Sequence, residues 1–403
     1  MWKLALRNVL RHKARTAMTL LAIVAGVVGL ILSGGFVHDI FSQLGEALIH
    51  SQSGHLQIAR TGYFEAGARS PEKFLIGEPE PLRKKIMASP GVEDVLERLF
   101  FSGLLNNGRA DLPIIGEGVE PDREARLGSG MRIQAGQRLR QVDEHGMMLG
   151  QGLAHALRLA PGDWVTLVIN TPEGALNSQE FQVVGLFQTF SKDYDAHAVR
   201  IPLAAARDLL ASSGINTLVV SLKRTEDTLP IAMALSASLS GTGLEVNTWL
   251  QLNDFYAKTV KMYDIQFGVL RVIILLMVLL SVVNSVNMSV FERVGEFGTM
   301  MALGNRSRRV VELIIKENIL IALVGATAGV LLGVILALLI SAIGIPMPPP
   351  PNADLSYVAR IRIVPSVLAG AYAIGVVATI LAAFIPALRV RRIPIVDALR
   401  QSI

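Results

Sequence analysis

The chain has 403 residues, of which 51% are hydrophobic and 18% charged, with a mean hydropathy of +0.46. A soluble globular domain carries about 25% charged residues, so a purely soluble chain is excluded. The absence of cysteine excludes disulfides, thiolate metal sites and cysteine nucleophiles, and the formal charge of +5 suggests nucleic acid only until its distribution is read.

Lys3, Arg7, Arg11, Lys13 and Arg15 precede a first apolar window, residues 16–37, that carries no charge. A bilayer core of about 30 Å takes roughly 20 apolar residues of helix. Windows 272–291, 319–343 and 364–388 qualify in the same way. The first is longer than the apolar run of a signal peptide, about 7–15 residues, and reads as an uncleaved anchor. Arg293, Arg306, Arg308 and Arg309 lie between the second and third windows, and Arg389, Arg391, Arg392 and Arg400 follow the fourth. Between the third and fourth stand only Arg360 and Arg362. The positive-inside rule therefore predicts cytoplasmic termini and a cytoplasmic 292–313 loop, with 38–265 and the Pro-rich loop 344–363 outside. Residues 38–265 hold 21 Lys/Arg against 27 Asp/Glu, and the remainder 17 against 6. The basic balance is thus a topology signature, and a nucleic-acid partner is not expected.

Within the outer segment, residues 55–59 alternate as a strand and 80–88 form a helix stopped by Pro90-Gly91. Residues 92–105 and 110–119 flank Asn107-Gly108, a two-residue type I′ hairpin signal. A second pattern starts near Glu120. It has a helix at 150–157, a turn at Pro161-Gly162-Asp163, strands at 164–169 and 180–187, and a helix at 201–210 with Pro202 in its first turn. A strand at 217–222, a helix at 229–239 and a strand at 245–248 follow, and 249–267 reads as one helix feeding the second span. The predicted fold is four transmembrane α-helices with a large extracytoplasmic α+β domain between helices 1 and 2. That domain comprises a split α/β porter-like subdomain, about 54–119 and 216–248, and an inserted β-rich subdomain.

Glycine is never followed directly by lysine, so a P-loop phosphate cradle is absent, and no Gly-x-Ser-x-Gly elbow occurs. The seven histidines form no His-x-x-x-His pair. No catalytic residue and no metal site is predicted, and an enzyme is not expected.

The 292–304 stretch places Val294, Phe297 and Met301 on one apolar stripe, with Glu292 and Glu296 one turn apart on another face. A helix lying on lipid prefers Lys and Arg on its polar face, so the glutamates favour docking to a protein partner. Asn284 and Asn287 in the second span are costly in lipid and point to a face that meets another helix or a central cavity. Gly325, Gly329 and Gly333 form a small-residue ridge for helix packing. The run Pro348, Pro349, Pro350 and Pro351 reads as a stiff connector.

The stretch Phe291-Glu292-Arg293-Val294-Gly295-Glu296-Phe297-Gly298, ending in Ala302-Leu303-Gly304, resembles the FtsX/MacB-like permeases, the type VII ABC transporters that work by mechanotransmission. So do Ala5-Leu6-Arg7-Asn8-Val9-Leu10-Arg11 at the start and Pro394-Ile395-Val396-Asp397-Ala398-Leu399-Arg400 at the end. The outer domain most resembles the lipoprotein-releasing permeases, through Ser53-Gly54-His55-Leu56-Gln57-Ile58, Pro161-Gly162-Asp163-Trp164-Val165 and Phe181-Gln182-Val183-Val184-Gly185-Leu186-Phe187. The hairpin at 170–179 is short where one of those paired permeases carries a carrier-gripping hook, so the resemblance does not extend to the hook.

The resemblance implies a bacterial inner-membrane subunit, a partner ABC ATPase dimer that binds ATP and Mg, and a second permease chain, identical or homologous. It also implies a periplasmic carrier or adaptor. Glu292, Arg293, Glu296, Phe297, Gly298 and Gly304 become the ATPase-coupling residues. Phe36, Ile40, Phe41, Tyr263 and Phe267, with Asn284 and Asn287, become candidates to line a substrate vestibule against membrane lipid. The function implied is extraction of lipoproteins or other lipidated substrates. Export of small amphiphiles through an adaptor, and regulation of a cell-wall hydrolase, are the alternatives.

The expected organisation is an amphipathic N-terminal helix (1–15), span one (16–37), a stalk (38–53), the outer domain (54–248, with the insert at about 120–215) and a stalk helix (249–266). Span two (267–291), the coupling loop (292–313), span three (314–343), the outer loop (344–363), span four (364–388) and a cytoplasmic tail (389–403) complete it.

Overall fold

The structure is a computed structural model. It describes all residues except 1, 12, 68–70, 128–130, 172, 350–355 and 391–403. The C-terminal motif at 394–400, the tail arginines Arg391, Arg392 and Arg400, and Pro350 and Pro351 lie outside the described residues. The chain divides into two compact units. One comprises residues 1–41, 260–347 and 358–403, and the other 42–259 and 348–357.

In chain order, α1 (Trp2–Arg11) precedes α2 (Lys13–Leu48), which ends in a π-helical turn, Ile49–Ser53. The outer unit then runs β1 (Leu56–Arg60), α3 (Tyr63–Ala66), α4 (Pro79–Met87), β2 (Val92–Asn106), β3 (Asp111–Val119), α5 (Pro121–Leu127), β4 (Arg132–Gly136) and β5 (Gly146–Gly150). It continues through α6 (Gln151–Leu157), β6 (Trp164–Asn170), β7 (Leu176–Gln188), α7 (Lys192–Asp195), β8 (Ala198–Pro202), α8 (Leu203–Leu210), β9 (Thr217–Leu222), α9 (Thr228–Ser238), β10 (Leu244–Thr248) and α10 (Trp249–Leu252). Next come α11 (Asp254–Glu292), α12 (Val294–Ala302) and α13 (Ser307–Ile343), short strands β11 (Ile345–Met347) and β12 (Tyr357–Ala359), and α14 (Pro365–Val390).

Among the described residues four helices are long and apolar enough to cross a membrane: α2, α11, α13 and α14. Their packing follows the small residues. A Cβ added to Gly325, Gly329 or Gly333 would stand 3.1, 2.8 or 2.9 Å from Ile23, Val27 or Ile31. The ridge of α13 therefore receives the apolar stripe of α2, and close backbone approach replaces the hydrophobic driving force that lipid cannot supply. Val278, Val282, Val286 and Val290, four apart on α11, are buried in the same core.

The outer unit is built on one ten-stranded sheet in the order β10-β1-β9-β2-β3-β8-β5-β7-β4, with β6 bridging β2 and β7. Strand β2 is long enough to serve two neighbours. Its first half pairs with β9 and its second half with β6. Because β6 also pairs with β7, the ladder β2-β3-β8-β5-β7-β6 closes on itself, and the edge strands of the sheet are β10 and β4. Leu105, Ile114, Leu167, Phe181, Val183, Val199 and Ile201 belong to the shared core. The split piece and the insert thus share one hydrogen-bonded sheet, while the insert adds a small core of its own around Met131, Leu139, Met148 and Phe187.

Three local expectations are corrected. The β2–β3 hairpin has Asn106 paired with Asp111, so its loop holds four residues, not two. The Asn107 side chain accepts from the amides of Arg109 and Ala110 (2.9 Å each) and stabilises the longer loop, with Gly108 at φ +81°. Ile201 and Pro202 close strand β8, and the helix starts only at Leu203. Strand β8 is buried throughout and lacks the alternation that marks a half-exposed strand. The helix read over 249–267 is interrupted at Asn253: a capping box between Thr248 and Gln251 starts α10, and α11 begins at Asp254.

Candidate coupling site

Helix α12 is short, and its apolar stripe fixes its seat. Val294, Phe297 and Gly298 are buried, and Met301 is half-buried. Gly304, at φ +89°, ends the helical segment; its amide donates to the Met301 carbonyl at 3.0 Å. Only a residue without a Cβ adopts that backbone freely.

Arg293, immediately before α12, is buried at 5% exposure. Its guanidinium donates to Glu317 of α13 at 2.8 Å and to Glu296 at 3.0 Å, and lies 5.0 Å over the Phe297 ring. Burial opposes the charge, but the two carboxylates outweigh it and hold Arg293 above the ordinary guanidinium range. Glu317 also accepts from the Asn8 amide of α1 at 2.6 Å, and Arg11 of α1 lies 3.7 Å from Glu296. Lys316 sits 5.4 Å over the ring of Trp2. A polar cavity of about 40 Å³ lies beside this junction, lined by Asn8, Thr19, Ser285, Ser289, Arg293 and Glu317 among others. It is large enough for one water.

Of the predicted coupling residues, Arg293, Phe297 and Gly298 are therefore internal, while Glu292, Glu296 and Gly304 are exposed. Phe291 and Leu303 extend that exposed edge, at 70% and 81% exposure. The sequence reading missed Glu317 and Asn8 as members of this junction. The available signal was the Glu317-Asn318 pair at the head of the third apolar window, since ionisable groups next to a span are rarely idle.

The vestibule candidates separate into two groups. Phe41 meets Tyr263 edge-on at 5.5 Å, and Tyr263 lies 6.5 Å from Phe267, an aromatic run joining α2 to α11. Phe36 and Ile40 are half-buried on α2. Asn284 is exposed and Asn287 half-buried on α11, the least buried of the four long helices. Asn284 sits on an outer face with Met277, Leu280 and Met288, all exposed.

The description "MacB-like periplasmic core domain" matches residues 16–238, and "FtsX-like permease C-terminal" matches 268–395. The chain belongs to the FtsX/MacB-like ABC transporter permeases. It is 23% identical over 349 residues to an uncharacterized ABC transporter permease of Methanocaldococcus jannaschii, covering 84% of each chain. It is 22% identical to the lipoprotein-releasing system transmembrane protein LolE of Haemophilus influenzae, covering 77% of this chain and 74% of that one. With LolC of Xylella fastidiosa it shares 24% identity over 58% of each chain. The crystal structure of the periplasmic region of MacB from Actinobacillus actinomycetemcomitans is 14% identical with a TM-score of 0.37, covering 53% of this chain and 95% of that one. As an FtsX/MacB-like permease, the chain is a membrane protein with an extracytoplasmic domain, and its family is close to LolC and LolE.

Proposed function

We propose that this chain is the permease subunit of an inner-membrane ABC transporter that draws lipoproteins or other lipidated substrates out of the bilayer. A separate ATPase dimer binds ATP and Mg, and a second permease chain completes the assembly. The observation that carries the reading is the Arg293–Glu317 pair. It ties the α12 helix to α13 and, through Asn8, to α1, so a push on α12 is delivered to membrane helices. The exposed edge formed by Phe291, Glu292 and Leu303 is the surface offered to the ATPase.

Lipidated cargo is favoured by the naming of the LolE and LolC relatives and by the energetics. Lifting an acyl chain into water costs about 0.8 kcal/mol per methylene, which makes unaided release negligible. Phe36, Ile40, Phe41, Tyr263 and Phe267 provide an apolar rim for such a chain, and a periplasmic carrier receives it. Both termini and α12 are then cytoplasmic, following the distribution of Lys and Arg.

The test is co-purification with the candidate ATPase, followed by photocrosslinking from Phe36, Ile40 and Phe267 in cells. Adducts to an acylated protein that disappear on ATP addition are expected. Adducts to an adaptor or a cell-wall hydrolase alone would sink the lipoprotein reading, and a chain that binds no ATPase would sink the transporter.

A further inference from the structure

The outer end of α2 is held by far more than a helix terminus requires. The Gly54 amide donates to Ile49 O at 3.0 Å, and Gly54, at φ +64°, turns the chain toward β1. Ser53 O accepts from the Gln57 side-chain amide at 2.9 Å. Two further contacts come from far along the chain. Ser51 O accepts from Arg200 at 3.1 Å, and Gln52 O accepts from Arg98.

Arg98 stands on β2, in the split piece, and Arg200 on β8, in the insert; they are 1% and 2% exposed. Glu124 bridges them, at 2.5 Å from Arg98 and 3.1 Å from Arg200. Glu117 lies 3.0 Å from Arg200, and the Tyr194 hydroxyl donates to Glu117 at 2.7 Å while accepting from Arg200 at 3.2 Å.

Burying two guanidiniums with two carboxylates is a poor route to stability, because apolar side chains of similar volume often do as well or better. The arrangement provides direction instead. A planar, rigid guanidinium bound on one side to carboxylates has its remaining N–H groups aimed at fixed points. Here those points are successive carbonyls of one helix end.

We propose that Arg98 and Arg200 are positioning residues that lock the end of α2 separately to the split piece and to the insert, so that displacement of this helix moves both as one body. The proposal rests on the transport reading for the origin of that displacement. The lock itself is a property of this chain and is testable without the ATPase.

The cysteine-free sequence allows spin-label pairs at Leu44→Cys with Val142→Cys in the insert, and at Leu44→Cys with Leu229→Cys in the split piece. Val142 and Leu229 are 77% and 64% exposed. In the full-length chain in nanodiscs, both distance distributions should be narrow. Arg200→Lys should widen the Leu44–Val142 distribution at least twofold and leave Leu44–Leu229 unchanged; Arg98→Lys should do the reverse. If either variant fails to fold, Arg98→Gln or Arg200→Gln, which leaves Glu124 in place to pair with the remaining arginine, should widen the same single distribution as the corresponding lysine variant. Unchanged widths, even with a lower unfolding midpoint, would make the arginines merely stabilising and overturn the proposal. Failure of the chain to bind an ATPase would refute the transport reading and leave the widths to decide the lock.

Discussion

The Arg293 guanidinium lies 2.8 Å from the Glu317 carboxylate, with both side chains less than a tenth exposed, across 24 positions of sequence. A short helix that reads as a detachable docking element is thereby pinned to a membrane helix. Breaking one side of a buried pair leaves an uncompensated charge and costs about 3–5 kcal/mol. Arg293→Met should therefore lower the unfolding midpoint strongly in detergent, and so should Glu317→Arg. Combining Arg293→Glu with Glu317→Arg should recover part of the loss. A double-mutant cycle with no coupling would show that the pair is not formed.

The exposed edge behaves differently. Leu303 is 81% exposed, so Leu303→Asp should leave the midpoint unchanged. It should weaken co-purification of the ATPase at least tenfold, equivalent to about 1.4 kcal/mol. Glu292→Lys should act in the same direction. A titration of ATPase binding that does not respond to either change would move the docking surface elsewhere.

Helix packing gives a position-specific contrast. At Gly329 a Cβ would sit 2.8 Å from Val27, whereas at Gly370 of α14 nothing lies within 4 Å. Gly329→Leu should cost about 1–3 kcal/mol through overpacking of the membrane core. Gly370→Ala should be neutral or slightly stabilising, as expected for a helical glycine. Thermal unfolding of the two variants beside the parent chain checks both.

His55 introduces a pH dependence. It is fully buried, its Nδ1 accepts from the Leu222 amide at 3.2 Å, and its Nε2 donates to Thr225 at 3.1 Å. Thr225 in turn donates to Glu46 at 2.8 Å, which fixes the neutral tautomer. Burial, aided by nearby His50, pushes His55 down to about 4 from 6.5. Below pH 6.5 the unfolded chain takes up a proton that the folded chain refuses, so stability falls as pH drops from about 6.5 to about 4. The full loss is about 3 kcal/mol. His55→Asn keeps an acceptor for Leu222 and should flatten this slope, as followed by the fluorescence of Trp164 and Trp249 during unfolding at pH 7 and pH 5.

The sequence alone marked the four apolar helices, because about 20 uncharged residues are a local property that a bilayer reads directly. It also marked the α12 stripe, the Gly325–Gly329–Gly333 ridge and most strands of the outer domain, since each rests on a short period. Strand β8 escaped because burial on both faces erases alternation, and the break at Asn253 because its backbone leaves the helical region (φ −114°, ψ 67°) while its side-chain amide donates to the Trp249 carbonyl at 2.7 Å. What only the tertiary structure decided are the long-range partners: Glu317 for Arg293, and the carbonyls of Ser51 and Gln52 for Arg200 and Arg98. The last two contacts span 149 and 46 positions. No periodicity encodes such pairs; they exist because sheet register and helix packing bring polar groups together in the interior, where each must find a partner.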